Sequence, residues 1–381
     1  MRKICFILAL LMTTAAWGQW TEPDTTAVPQ LGGGAQAPWI SNDNLRLYCS
    51  SPRDLYVISR PHPDSAWGQW QLLPPHVNLT PTQRCPAESP TGDTLYFIGD
   101  VRPDCESYGI YDVFFTVRTG RCDTCWGPVQ NPGPQVNSNL REFSVGISRD
   151  GSILLVASNR LGTYGAELYW HDKQQDGTWG QANYFGPEIN DINRSEEHPC
   201  LSADNQRLLF WRDTPVLNDI WESHRVNGEW QQATRLPAPV NGPGMTREED
   251  PCLALDGRTL WFTKTMDQFF YRYLFVSVDT SVSAVEPRPA KPSRSKPMLY
   301  VNSDSAGSLT LTVEGGQLRG DHKVVLYDLL GREVGNYAVA FSGQGTHSIT
   351  RLSLPDLPSG TYILSVQLPS GALSAKYVVA E

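Results

Sequence analysis

The sequence predicts an all-β chain, a five-bladed β-propeller followed by a small immunoglobulin-like β-sandwich. Three observations carry that expectation. A strand–turn–strand motif recurs five times at the spacing of a propeller blade. Alternating apolar and polar residues, bounded by Gly, Asn, Asp and Pro, run through the chain with no competing helical period. A Pro- and Ser-rich stretch then separates the repeats from a second set of six or seven short strands.

In chain order, residues 1–18 read as a secretory signal peptide. Arg2 and Lys3 precede an apolar run from Ile4 to Met12, and Ala16-Trp17-Gly18 offers small residues for cleavage after Gly18. That run is shorter than the roughly 20 residues a spanning helix needs, and no later stretch reaches that length. The formal net charge is −9 over 381 residues, and removal of Arg2 and Lys3 takes it to −11. Without a basic patch the chain is predicted to bind neither nucleic acid nor an anionic lipid surface.

Residues 19–278 hold the repeats. The clearest copies run from Glu196 to Phe210 and from Glu248 to Phe262, each around Glu-Glu-x-Pro-Cys-Leu and an Asp turn. Looser copies centre on Asp43-Asn44, Thr91-Gly92 and Asp150-Gly151, so the turns at 43, 91, 150, 204 and 256 lie 48, 59, 54 and 52 residues apart. Asp-Gly and Asp-Asn suit a two-residue type I′ turn. A third strand follows in each unit, as in Asp54 to Val57, Asp112 to Phe115, Glu167 to Trp170, Asp219 to Trp221 and Tyr273 to Val276. A fourth is expected to open with tryptophan, at Trp67, Trp126, Trp179 and Trp230. The fifth unit lacks that strand, and Gln19-Trp20-Thr21 at the other end of the repeats can supply it and close the ring. Val77-Asn78, Val136-Asn137, Ile189-Asn190 and Val240-Asn241 mark the connections between units.

Residues 279–298 form the linker, extended by prolines at 287, 289, 292 and 297. Strands are then expected at 308–313, 323–328, 333–340, 347–354, 361–368 and 372–379, within a terminal unit of residues 299–381.

Two resemblances follow from these residues. The Glu-x-x-Pro-x-Leu-Ser-x-Asp-Gly-x-x-Leu-x-Phe pattern, the Asp219-Ile220-Trp221 strand and the Trp strands resemble the TolB-like, WD-repeat-like propeller repeat of bacterial envelope proteins. The likeness covers about residues 36–278 and is weaker in the first two units, where Ala37 and Cys85 depart from the pattern. The tail is similar to the C-terminal sorting domain of type IX secretion substrates in the Bacteroidota, through Val325 to Val334, Leu357 to Leu364 and Lys376 to Val379. Val301-Asn302-Ser303-Asp304 stands where that family opens with Pro-Asn-Pro. This resemblance implies passage through the outer membrane by the type IX machinery, with the propeller released or held at the cell surface. The alternative is an Ig-like adhesion module that stays attached.

Leaving Cys5 aside, seven cysteines remain, so at least one is unpaired. Cys122-Asp-Thr-Cys125 fits a structural disulfide or plain thiols better than zinc, for which only Cys105 is near. Cys200 and Cys252 share one slot in adjacent units, which allows a bridge between them.

First strands line a propeller's channel, so Glu142, Glu196 and Glu248 are candidate ligand residues at its mouth, with Arg141, Arg247 and His198 beside them. The competing reading is that each glutamate makes the same bond within its own blade. Glycosidases need two carboxyl groups about 5 or 6.5–9.5 Å apart, which keeps a glycan-degrading enzyme open as an alternative. His198 and Asp250 share a slot before proline but lack further ligands for a metal. The recurring tryptophans are expected to pack between blades rather than stack on sugars. No phosphate loop, Gly-x-Ser-x-Gly elbow or His-Glu-x-x-His motif is present, so no cofactor is predicted. The expectation is a non-enzymatic, exported propeller that binds a protein or glycan, with a structural surface or gliding component as a third possibility.

Overall fold

The structure, a computed structural model, describes residues 20–281 apart from 33, 163–164, 216, 244–245 and 266–270. It also describes residues 298–379 apart from 304–307, 315–319, 329–331, 343–346, 355–356, 358–359 and 369–370. The expected leader (1–18) and nearly all of the expected linker lie outside the described residues. The chain is all-β, and no helix among the described residues is long and apolar enough to cross a membrane. Two compact units divide between Pro287 and Arg288.

The first unit contains five antiparallel sheets. The first has β1 (Gln36–Ile40), β2 (Arg46–Ser51), β3 (Asp54–Ser59) and β4 (Gln71–Leu72). The second has β5 (Gln83–Glu88), β6 (Thr94–Asp100), β7 (Tyr111–Arg118) and β8 (Trp126–Gln130). The third has β9 (Glu142–Ile147), β10 (Ile153–Ser158), β11 (Glu167–Asp172) and β12 (Asn183–Tyr184). The fourth has β13 (Glu196–Leu201), β14 (Arg207–Asp213) and β15 (Asn218–Val226), whose outer edge pairs with β16 (Glu229–Trp230) and β17 (Thr234–Arg235). The fifth has β18 (Glu248–Leu253), β19 (Thr259–Thr265) and β20 (Arg272–Val278). The first strands touch in a cycle, β1 to β5, β9, β13, β18 and back to β1, so they surround a common axis.

Three sequence features now have physical reasons. Each asparagine of the Val-Asn pairs lies across the third strand of its sheet, its amide bonding both N and O of Leu55, Val113, Leu168 or Ile220. The β-branched residue before it is fully buried. Each tryptophan packs against the preceding sheet, Trp126 on Tyr48, Trp179 on Tyr96, Trp230 on Phe185 and Trp67 on Trp261 of the fifth. These edge-to-face pairs hold neighbouring sheets together.

The fifth sheet takes both devices from residues 20–30. Asp24 bridges to Val276 of β20 and Trp20 to Asp279 just past it, and the Arg207 guanidinium of the fourth sheet lies 5.3 Å from the Trp20 ring. Gln30 stands in for the asparagine, accepting from Leu274 N at 2.9 Å and donating to Leu274 O at 3.1 Å. No motif in the sequence pointed to Gln30.

The turns differ from expectation. The pairs Ser41–Arg46, Ser89–Thr94, Ser148–Ile153, Ser202–Arg207 and Ala254–Thr259 close loops of four residues, not two. Only one residue in each is left-handed, Asn44, Gly92, Gly151, Asn205 or Gly257, whereas type I′ requires two. The aspartate instead caps the loop, as in Ser148 Oγ to Asp150 at 2.6 Å and Ser202 Oγ to Asp204 at 2.6 Å. Two of the fourth strands also start later than expected, β4 and β12 lying beyond Trp67 and Trp179.

The second unit has β21 (Met298–Ser303), β22 (Ser308–Glu314), β23 (Gly320–Asp328), β24 (Glu333–Phe341), β25 (His347–Ser353), β26 (Gly360–Leu368) and β27 (Gly371–Val379). They form sheets ordered β21-β22-β25 and β24-β23-β26-β27. Leu309, Leu311 and Val313 from one sheet and Val324, Leu326, Leu364 and Val366 from the other share one apolar core. Met298, assigned to the linker by composition, opens β21.

Candidate functional site

Glu142, Glu196 and Glu248 open β9, β13 and β18 and have no exposed surface. Glu142 accepts from Ser138 N at 3.1 Å and Ser158 Oγ at 2.9 Å, with Arg160 at 3.4 Å. Glu196 pairs with Arg212 at 2.6 Å and accepts from Asp191 N at 3.3 Å. Glu248 pairs with Lys264 at 3.0 Å and accepts from Thr246 Oγ1 at 2.7 Å. The structure therefore does not bring the three together. Each ties the loop entering its strand to the second strand of its own sheet, and burial pushes the Glu142 and Glu196 carboxyls up to about 7. Arg141 is exposed, its guanidinium 5.7 Å from the Tyr111 ring. Arg247 is partly buried, and its carbonyl accepts from Thr265 N.

Two residues further along each strand, the chain turns its side chains to the axis. Ala37, Cys85, His198 and Asp250 precede prolines and are left-handed, with φ between 51° and 59°, and Ser144 takes the slot in β9. The register slips at each of these four residues, because a left-handed residue before proline cannot continue the ladder. His198 of the fourth sheet lies 3.0 Å from Cys85 Sγ through Nε2. Its Nδ1 is 2.7 Å from Trp211 Nε1 and 3.0 Å from Asp250 Oδ1. Burial holds the imidazole below its ordinary range, which favours the neutral ring, with Nδ1 accepting from Trp211 and Nε2–H directed at Cys85. Cys85 donates to Phe143 O at 3.4 Å, and burial raises its thiol. Asp250 accepts from Ala37 N at 2.9 Å and Thr263 Oγ1 at 2.8 Å, while His198 N donates to Ser144 Oγ at 2.7 Å. All five sheets are thus joined by polar contacts across the axis. The cavity they leave is about 10 Å³, room for a single water.

The far end of the axis is closed as well. Arg149 donates to Ile40 O at 2.7 Å and Leu253 O at 2.5 Å and lies 3.2 Å from Cys252 Sγ. Gly146 faces Pro199 O so closely that a Cβ would stand 2.4 Å from it, so the strands meet here with no room for a side chain. Cys200 and Cys252 are both free thiols, and the bridge that their shared slot allows does not form. The disulfide present joins Cys122 and Cys125.

Between the buried glutamates and the axial residues lies a charged layer that sequence reasoning missed. Side chains alternate along a strand, so the residue after each buried glutamate takes a different face. Those residues are Glu197 and Glu249, and Arg84 occupies the equivalent place in β5. Glu249 is held by Arg272, with contacts of 2.6 and 2.7 Å, and by Asn218. Arg84 lies 5.0 Å from the Tyr111 ring and 5.8 Å from the Phe143 ring. Glu197 accepts from Ser195 Oγ at 3.4 Å, and no cation stands within 4 Å of it among the described residues. Burial, with Asp250 and Glu249 nearby, pushes its carboxyl up to about 7 against the pull of Arg84. The Glu-Glu and Glu-Glu-Asp runs held this information, had the strand alternation been applied to them.

No family model and no curated protein sequence matches the chain. Several solved structures resemble it. TolB from Acinetobacter baumannii is 12% identical, with 65% of this chain and 54% of that chain covered and a TM-score of 0.38. This chain therefore spans about half the length of that TolB. A thermostable family-43 glycoside hydrolase is 14% identical, with 64% and 88% covered and a TM-score of 0.44. An oligogalacturonate lyase in complex with manganese is 12% identical, with 65% and 78% covered and a TM-score of 0.35. At these values none of them assigns a chemistry to the chain.

Proposed function

We propose that the chain is an exported five-bladed β-propeller that recognises a protein or a glycan through the face where its first strands begin. In this reading an immunoglobulin-like C-terminal domain directs it through the type IX machinery to the cell surface or beyond. The observation that carries the reading is the closed axis. Polar contacts among all five sheets leave about 10 Å³, so a partner meets the mouth and its loops and does not enter the channel. Export rests on the N-terminal pattern and the sorting-domain resemblance of the tail.

A second reading, a glycan-degrading enzyme, is favoured by one observation. Burial pushes the Glu197 carboxyl up to about 7, and Glu249, also raised by burial, stands beside it; a raised carboxyl can serve as a general acid. One experiment separates the two. The full chain and a Glu197→Gln/Glu249→Gln variant are incubated with a panel of polysaccharides, and retention and release of reducing ends are scored separately. Retention without release supports recognition of a glycan. Release by the wild type alone establishes the enzyme and overturns the binding reading.

A further inference from the structure

Antiparallel strands place the loop entering each first strand and the loop joining second to third strands on one face of the ring. Hydrogen bonds confirm the adjacency, as in Ile110 N to Leu140 O, Asn159 N to Arg141 O and Asp213 N to Ser195 O. Among the described residues of the first unit, six of the ten large apolar side chains found exposed stand on these loops: Leu79, Val101, Ile110, Leu161, Ile192 and Tyr271. On the opposite face the five Asp-capped turns carry none, and two, Val117 and Val226, stand at the ends of third strands. Scattered exposed apolar residues are ordinary, but their gathering around one mouth marks an interaction surface.

The charge at the centre of this rim is specific. Arg272, Asn218 and Glu249 satisfy one another, whereas Glu197 has Asp250 and Glu249 near it, opposed by Arg84 from beyond 4 Å, with no cation within 4 Å among the described residues. Such a group is completed by an incoming cation. Among the described residues five of these six rim residues are aliphatic, which suits the apolar side chains of a partner.

Resting on the recognition reading above, we propose that the partner is a protein segment. It lays apolar side chains on the loop tips and delivers a lysine or arginine to Glu197.

The test selects a phage-displayed library of random twelve-residue peptides on the immobilised full chain. Synthetic copies of the enriched peptides are then titrated calorimetrically against wild type, Glu197→Gln and Ile192→Asp. Glu197→Gln keeps the shape of the side chain and removes the charge, so its fold is retained, and thermal unfolding checks this. The expected result is enrichment of a Lys or Arg flanked by apolar residues, with binding about ten-fold or more weaker in each variant and weakened by salt. No enrichment, enrichment without a basic residue, or equal binding by Glu197→Gln overturns the proposal. If the peptides fail while a polysaccharide is retained, recognition stands and the protein segment falls. If both fail, both readings fall.

Discussion

The two faces of the ring are built from one repeat, yet they differ in what varies. On the turn face, each repeat closes with a four-residue loop whose middle carries one left-handed residue, and in the first, third and fourth sheets the same serine–aspartate bond recurs. On the mouth face, loops differ in length and carry exposed aliphatic side chains. The difference recurs between neighbours on one strand. Glu196 makes the bonds that Glu142 and Glu248 make in their own sheets, whereas Glu197 makes none of them. Residues that recur hold the sheets in shape, and the residues that differ from sheet to sheet form the surface proposed above for recognition.

Removing a recurring glutamate has the largest expected effect. Glu196→Ala leaves the Arg212 guanidinium buried without its carboxylate and is expected to cost about 3–5 kcal/mol in chemical denaturation. A loss under about 1 kcal/mol would place Glu196 with the variable residues and erase the distinction. Asp204→Ala on the turn face removes the Ser202 cap from a solvent-exposed loop, and about 1 kcal/mol is expected by the same measurement.

Glu197→Gln acts with the opposite sign and only at high pH. The folded carboxyl is raised to about 7 from an unfolded value near 4.3, so its favourable contribution is complete below that unfolded value. It is lost as pH rises through about 7. At pH 8 the amide is therefore expected to stabilise the chain by up to about 3 kcal/mol, and at pH 4 to leave it unchanged. Equal effects at both pH values would show that burial is not what raises this carboxyl.

Much of this architecture was legible because each repeat states its own rules. The third strands, the Asp turns and the Val-Asn connections all lie where alternation and the repeat put them, although the turns close over four residues rather than the two of a type I′ turn. Trp20 at the fifth sheet was readable as a displaced copy of the Trp67 strand. Gln30 was not, because a lone glutamine has no signature, although it does the work of Asn78 at Leu274. The proposed contact, Glu197, lies one residue along from Glu196, the candidate that the repeat singled out. Recurrence drew attention to Glu142, Glu196 and Glu248, but a strand shows successive residues to different surroundings, and the recurring ones face their own sheet. The left-handed residues before proline were equally hidden, since only tertiary contacts across the axis hold Cys85, His198 and Asp250 in that conformation.

Site-specific photo-crosslinking on the full chain in the cells that make it tests the central claim most directly. A photoreactive residue is placed at Ile192 on the mouth face and, in a second variant, at Gln206 on the turn face. Covalent adducts to a partner from position 192 and none from position 206 are the predicted result. Adducts from 206 alone, or equally from both, would contradict the assignment of recognition to the mouth face.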